Sequence, residues 1–133
     1  MSPIILIVDD DESVRFFHQV IVRQSELSNN PLCFSSGEEV LTYLDKLSKE
    51  DDTYIMLLDI NMPTMNCWDL LDAIKDKSYF KQVNVILATS VVSEAEKVKA
   101  SSYSMVKGIV EKPISGEFCK RIAKIFSVLS NHL

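Results

Sequence analysis

Four short apolar runs punctuate the chain, and each leads into polar chemistry. Ile4-Ile5-Leu6-Ile7-Val8 runs directly into Asp9-Asp10-Asp11, and Tyr54-Ile55-Met56-Leu57-Leu58 into Asp59. Val83-Asn84-Val85-Ile86-Leu87-Ala88 ends on Thr89-Ser90. Met105-Val106-Lys107-Gly108-Ile109-Val110 ends just before Lys112-Pro113. Short apolar runs that alternate with helical patterns predict parallel strands buried on both faces. A shorter strand, Leu32–Phe34, follows the turn-forming residues Ser28-Asn29-Asn30-Pro31.

The intervening segments carry apolar residues at helical spacing. A first helix is predicted from about Glu12 to Ser25, with Val14, Phe17, Val20 and Ile21 on one face. Ser36-Gly37-Glu38-Glu39 opens a second, with Val40, Leu41, Leu44 and Leu47 apolar. A third starts near Asn66 and carries Leu70, Leu71 and Ile74. A fourth, over about Ser93–Ser102, is mostly polar. A fifth runs from about Gly116, with Phe118, Ile122, Ile125, Phe126 and Leu129 expected to face the sheet. Five strand–helix units predict a doubly wound α/β domain. In such sheets ligands bind outside the carboxyl ends of the strands. Here successive strands deliver carboxylates, a hydroxyl and an ammonium to that edge, a set that suits a cation and a phosphoryl group.

Length and charge narrow the picture. The chain has 133 residues, the size of one domain with a substantial core. It opens on a strand and closes on a helix, so a single domain over residues 1–133 is expected. Fourteen basic and nineteen acidic residues give a net charge of −5, which weighs against direct nucleic-acid binding, since phosphate contacts need a basic face. Cys33, Cys67 and Cys119 lack metal-ligand spacing and read as small apolar fillers in a reducing compartment, so a cytoplasmic location is expected. The first apolar run is too short for a signal-peptide core or a membrane span.

Several carboxylates at one sheet edge repel one another and stay ionised together only around a cation. Oxygen ligands from so few residues suit magnesium, which keeps several waters and accepts phosphate oxygens. The candidates are Asp9, Asp10 and Asp59. Asp11 reads instead as the cap of the first helix. Asp9 and Asp10 could be plain helix-capping residues too, but the matching strand ends favour the site. A carboxylate beside a metal, such as Asp59, can attack a phosphoryl group and form an acyl phosphate. Thr89 and Lys112 offer a hydroxyl and a point charge to the same oxygens. Pro113 cannot extend a ladder and is a candidate for a cis bond.

This set resembles the receiver domain of two-component response regulators. The matching residues are Asp9-Asp10, Asp59 within Asp59-Ile60-Asn61-Met62-Pro63, Thr89 and Lys112-Pro113, and the resemblance spans about residues 4–130. It implies a flavodoxin-like sheet in strand order 2-1-3-4-5. It implies Asp59 as phosphoacceptor, with Mg2+ held by Asp9, Asp10, Asp59 and the backbone carbonyl of Asn61. Thr89 and Lys112 would hold phosphoryl oxygens. The donor would be a phosphohistidine on a sensor histidine kinase or a histidine phosphotransfer protein. The output would be a changed surface of helix four, strand five and helix five, read by a downstream protein whose identity the sequence does not give. Such a domain assists its own phosphorylation and is not a conventional enzyme.

Two positions depart from the family pattern. Ile109 stands where an aromatic is usual, three residues before the lysine. Cys67 stands where the loop after Met62-Pro63 usually has glycine, and a positive φ there would strain it by roughly 1 kcal/mol or more. Three other classes fit less well. A phosphohydrolase of the haloacid dehalogenase type wants an acid at position 61, which is Asn, and a cap domain. A flavin carrier wants a Ser/Thr/Gly-rich loop where three aspartates stand. A degenerate receiver acting only as an interaction module would not need the full acid–Thr–Lys set.

Overall fold

Every apolar run forms a strand in the computed structural model, which describes residues 3–131 and, of residues 126–131, the backbone alone. The strands are β1 (Ile4–Val8), β2 (Leu32–Phe34), β3 (Tyr54–Asp59), β4 (Val83–Thr89) and β5 (Val106–Glu111). The helices are α1 (Glu12–Gln24), α2 (Gly37–Leu47), α3 (Cys67–Lys75), α4 (Glu94–Ser101) and α5 (Gly116–Asn131). A short 3-10 turn, Phe80–Gln82, precedes β4. The sheet is parallel, as the sequence pattern implies, and its order is β2-β1-β3-β4-β5, as the resemblance implies.

Because side chains alternate across a strand, the central strands feed two cores. Leu6, Val8, Met56, Leu58, Val85 and Leu87 pack with Val40 and Leu44 of α2 and Leu70, Leu71 and Ile74 of α3. Ile5, Ile7, Ile55, Leu57, Ile86 and Ala88 pack with Val22 of α1 and Cys119 and Ile122 of α5. β3 is buried along its whole length, so its only carboxylate, Asp59, sits where the strand leaves the sheet.

β5 departs from regular pairing. Val85 faces Val106, but Ile86 faces Gly108, so Lys107 is an extra residue in a bulge. Val106 and Ile109, three apart, would point to opposite faces of a regular strand. Both instead pack on the α2–α3 core, while Val110 packs on the α1–α5 core.

Polar caps fix where helices begin. Asp11 Oδ1 accepts from the Val14 N–H at 3.1 Å, which bears out its expected role. Ser36 and Ser93 accept from the N–H groups of Glu39 and Glu96. Asn66 and Asp69 form a reciprocal capping box at α3.

Some expected faces are shifted. The buried stripe of α1 is His18 and Val22, whereas Phe17 is 45% exposed. His18 counts as polar in a sequence pattern, yet it is satisfied inside the protein by a backbone N–H. Leu47, the last residue of α2, is exposed, and so is Ile125, because α5 turns Cys119 and Ile122 inward. Phe126 and Leu129 lie outside the described side chains. Cys67 and Cys119 are buried fillers, but Cys33 is exposed, being on the outermost strand.

Candidate functional site

The carboxyl edge of the sheet gathers the residues singled out above. β1 ends at Val8, so Asp9 and Asp10 emerge at the edge, beside Asp59 at the end of β3. One carboxylate oxygen from each of Asp9, Asp10 and Asp59 lies within 4.8 Å of the other two. Asp9 and Asp59 are buried and Asp10 is exposed, which leaves the cluster open on one side. Three oxygen donors this close carry more negative charge than the lysine paired with them balances, and that donor chemistry fits a hard divalent ion.

That lysine is Lys112. Its Nζ lies 3.2 Å from Asp9 Oδ2 and 3.1 Å from Asp59 Oδ1. The Lys112 backbone N–H donates to the Thr89 carbonyl at 2.7 Å, which ties the segment after β5 to the end of β4. The Lys112–Pro113 peptide is cis. Thr89 is buried, and its Oγ1 donates to the Val91 carbonyl at 3.3 Å, along the loop to α4. Asn61 donates its backbone N–H to Asp59 Oδ1 at 3.3 Å. The Asp9 main chain is itself braced, since Arg15 Nη1 donates to its carbonyl at 2.7 Å.

Burial first, and the neighbouring Asp9 charge second, push the Asp59 carboxyl up to about 6, while Lys112 and the Asn61 N–H pull the other way. Burial alone would lower Lys112. Its pairs with Asp59 and Asp9 outweigh that and hold it above the ordinary lysine value. At neutral pH the site therefore holds an ionised Asp59 under electrostatic stress, beside a firmly charged lysine.

Cys67 carries no positive φ, so the conditional strain at that position does not arise. Cys67 is the first residue of α3, fully buried, and among the described non-glycine residues only Glu26 and Thr64 have positive φ. The turn after Met62-Pro63 is taken instead at Thr64, with φ 70°, three residues earlier. A β-branched residue in that region is costly, and no glycine in the sequence marked it. Cys67 is set by the Asn66 cap and by its N–H to the Ile60 carbonyl at 3.4 Å.

His18 is the neighbour the sequence pattern missed. It is 2% exposed, and its Nε2 accepts from the Ile114 N–H at 3.0 Å. Burial lowers its pKa, Asp9 opposes this, and Lys112 reinforces it. The available signal was positional, since His18 lies four residues, about one helical turn, before the buried Val22.

The response regulator receiver domain pattern matches residues 5–123. The chain belongs to the response regulator receiver domain family. It is 28% identical over 122 residues to the chemotaxis protein CheY1 of Helicobacter pylori, covering 87% of this chain and 90% of that protein. It is 30% identical over 112 residues to the autoinducer 1 sensor kinase/phosphatase LuxN of Vibrio campbellii, covering 84% of this chain but 12% of that protein. Among solved structures, a two-component response regulator from Cytophaga hutchinsonii superposes with a TM-score of 0.81 at 25% identity, covering 96% of each chain. The matched stretch is thus nearly the whole of one relative and a small part of the other. Among the described residues no helix is long and apolar enough to cross a membrane.

Proposed function

We propose that this receiver takes a phosphoryl group onto Asp59 from a phosphohistidine of a sensor histidine kinase or a histidine phosphotransfer protein. The observation that carries the reading is the convergence on one carboxylate: Asp59 lies in the acid cluster and 3.1 Å from Lys112 Nζ. In the transfer, an Asp59 carboxylate oxygen forms the new P–O bond as the P–N bond to the donor imidazole breaks. The imidazole leaves with the bonding electron pair. Lys112 would hold one phosphoryl oxygen, and the Thr89 hydroxyl would hold another once it releases the Val91 carbonyl. Asp9, Asp10, Asp59 and the backbone carbonyl of Asn61 would hold Mg2+. When bound, that ion neutralises the charge of the acids and the phosphoryl oxygens.

The protein is a phosphoacceptor and not a conventional enzyme. Residues 1–133 form one receiver domain that works in the cytoplasm, and its phosphorylated α4–β5–α5 face controls a downstream protein. Incubation with phosphoramidate and magnesium, followed by intact mass, should show one added phosphoryl group. Chelation of the metal should abolish it. An unmodified mass under both conditions would sink the reading, and full labelling after chelation would remove the metal from it.

A further inference from the structure

Lys112 acts at the end of a long, flexible stem, so its backbone has to be held for the ammonium to reach the phosphoryl position. Two bonds hold it. One is the Lys112 N–H to the Thr89 carbonyl at 2.7 Å. The other comes two residues later, where the buried Ile114 N–H donates to His18 Nε2 at 3.0 Å. Pro113 brings no N–H, so the Ile114 group is the first donor after Lys112 itself. His18 stands on α1, 96 residues away, and is buried to 2% exposure. An acceptor carried by a helix is a firmer anchor than one on a loop. Ile114 is equally buried, packed in the α1–α5 core, so its N–H has no water to turn to if the acceptor is lost.

We infer that His18 is a positioning residue for Lys112: its neutral Nε2 clamps the segment after β5 to α1 and so sets where the ammonium meets the phosphoryl group. The inference rests on the receiver reading above. His18 does not touch the transferred group. It acts through the Ile114 backbone, and its effect must therefore pass through Lys112. The acids that would hold the metal leave from β1 and β3, which His18 does not clamp, so metal binding should not need it.

The test is a double-mutant cycle on the full chain. His18→Phe keeps a ring but removes the acceptor, His18→Gln keeps an acceptor, and Lys112→Met removes the ammonium. Readouts are the initial rate of phosphoryl uptake from phosphoramidate and the affinity for magnesium alone. His18→Phe should slow uptake by about tenfold or more, because small misplacements of a charge-stabilising group are costly. His18→Gln should recover uptake to within about threefold of wild type. In the Lys112→Met background, His18→Phe should change the rate by less than about twofold, because the two residues act in series. Magnesium affinity should hold or rise in His18→Phe. Normal uptake in His18→Phe would overturn the inference, as would the same loss with and without Lys112. A fall in magnesium affinity in step with uptake would reduce His18 to a structural role. If His18→Phe does not fold, His18→Asn, too short to reach Ile114, takes its place in the cycle. Wild-type protein that takes up no phosphoryl group would overturn the receiver reading along with the clamp. Uptake by wild type with an indifferent His18 would overturn the clamp alone.

Discussion

Asp59 and Lys112 set the energetics of the site between them. The Asp59 carboxyl is raised to about 6 in the folded chain, burial being the larger cause. Its folded state therefore binds protons more readily than its unfolded state. Metal-free stability should accordingly fall as pH rises from about 4 to about 6, the window between the unfolded and folded values. Asp59→Asn removes this cost and should stabilise the metal-free protein at pH 7 by about 1–3 kcal/mol, with the gain shrinking toward pH 4. Denaturant melts of both proteins across that range check it, and a gap that does not change with pH would contradict it. His18 contributes the opposite slope. Its folded pKa is depressed, so its stabilisation is present above the ordinary histidine value and is lost as pH falls through the folded one. Comparing wild type with Asp59→Asn cancels that background.

Removing the cation should act the other way. Lys112→Met leaves the buried carboxylates of Asp9 and Asp59 facing each other without their half-buried partner. A loss of about 2–4 kcal/mol is expected in metal-free buffer at pH 7. Saturating magnesium should restore much of it, because the ion supplies the missing charge. Urea melts with and without magnesium read both effects. Equal losses in the two buffers would mean that Lys112 and the metal do not share one field.

Among the elements, α4 is the helix least anchored in the core. Ala100 is its only buried residue, and Val98 is 68% exposed. It is fastened by aromatic and charged contacts instead of a core stripe. Lys99 Nζ sits 4.8 Å from the Trp68 ring centroid, and Trp68 stacks on Tyr103 at 5.8 Å. The Tyr103 hydroxyl donates to Asp72 at 2.8 Å. Glu96 Oε1 is buried without a partner among the described residues, which adds nothing to the anchoring of the helix. Trp68 therefore packs α3 against the α4 region.

The loop from Thr89 through Val91 links this helix to the site, because the Thr89 hydroxyl donates to the Val91 carbonyl. A phosphoryl group that draws the hydroxyl away frees that carbonyl, and α4 should respond. Beryllofluoride with magnesium should shift amide signals through residues 90–112 and change the emission of Trp68, the single tryptophan. Shifts confined to the acid cluster would show that the switch is absent. Ile109 is half-buried on the α2–α3 core beside Val106 and carries no aromatic to reorient. Ile109→Tyr should alter the response, and an identical response would show that the position does not matter.

Over the whole molecule, sheet chemistry made the site legible. A strand buried on both faces tolerates no unpaired charge, so the first acid after an apolar run marks where the strand leaves the sheet. That logic located Asp9, Asp10 and Asp59, and the same edge placed Thr89 and Lys112. The strand order followed from the resemblance, and the helix caps from Ser, Asn and Asp ahead of periodic segments. What stayed hidden were features that tertiary contacts decide. His18 looks polar until the Ile114 N–H meets it. Thr64 takes a positive φ without a glycine to announce it. The Lys107 bulge reverses the facing of Ile109 without any change in composition. The exposed Ile125 and Leu47 show that helical spacing alone does not fix the phase of a stripe.

Metal binding should also leave a stability signature on the folded domain. Magnesium at about a hundred times its dissociation constant should add about 2.7 kcal/mol, which for a chain this size is a rise in Tm of roughly 10 °C. Asp59→Asn should show a much smaller rise. A thermal melt insensitive to magnesium would contradict a metal site at the acid cluster.

The most direct test of the central claim is the intact mass of wild type and Asp59→Asn after the same exposure to phosphoramidate and magnesium. One added phosphoryl group is expected on the wild type and none on the variant. A variant that is labelled as fully as the wild type would place the phosphoryl group elsewhere and contradict it.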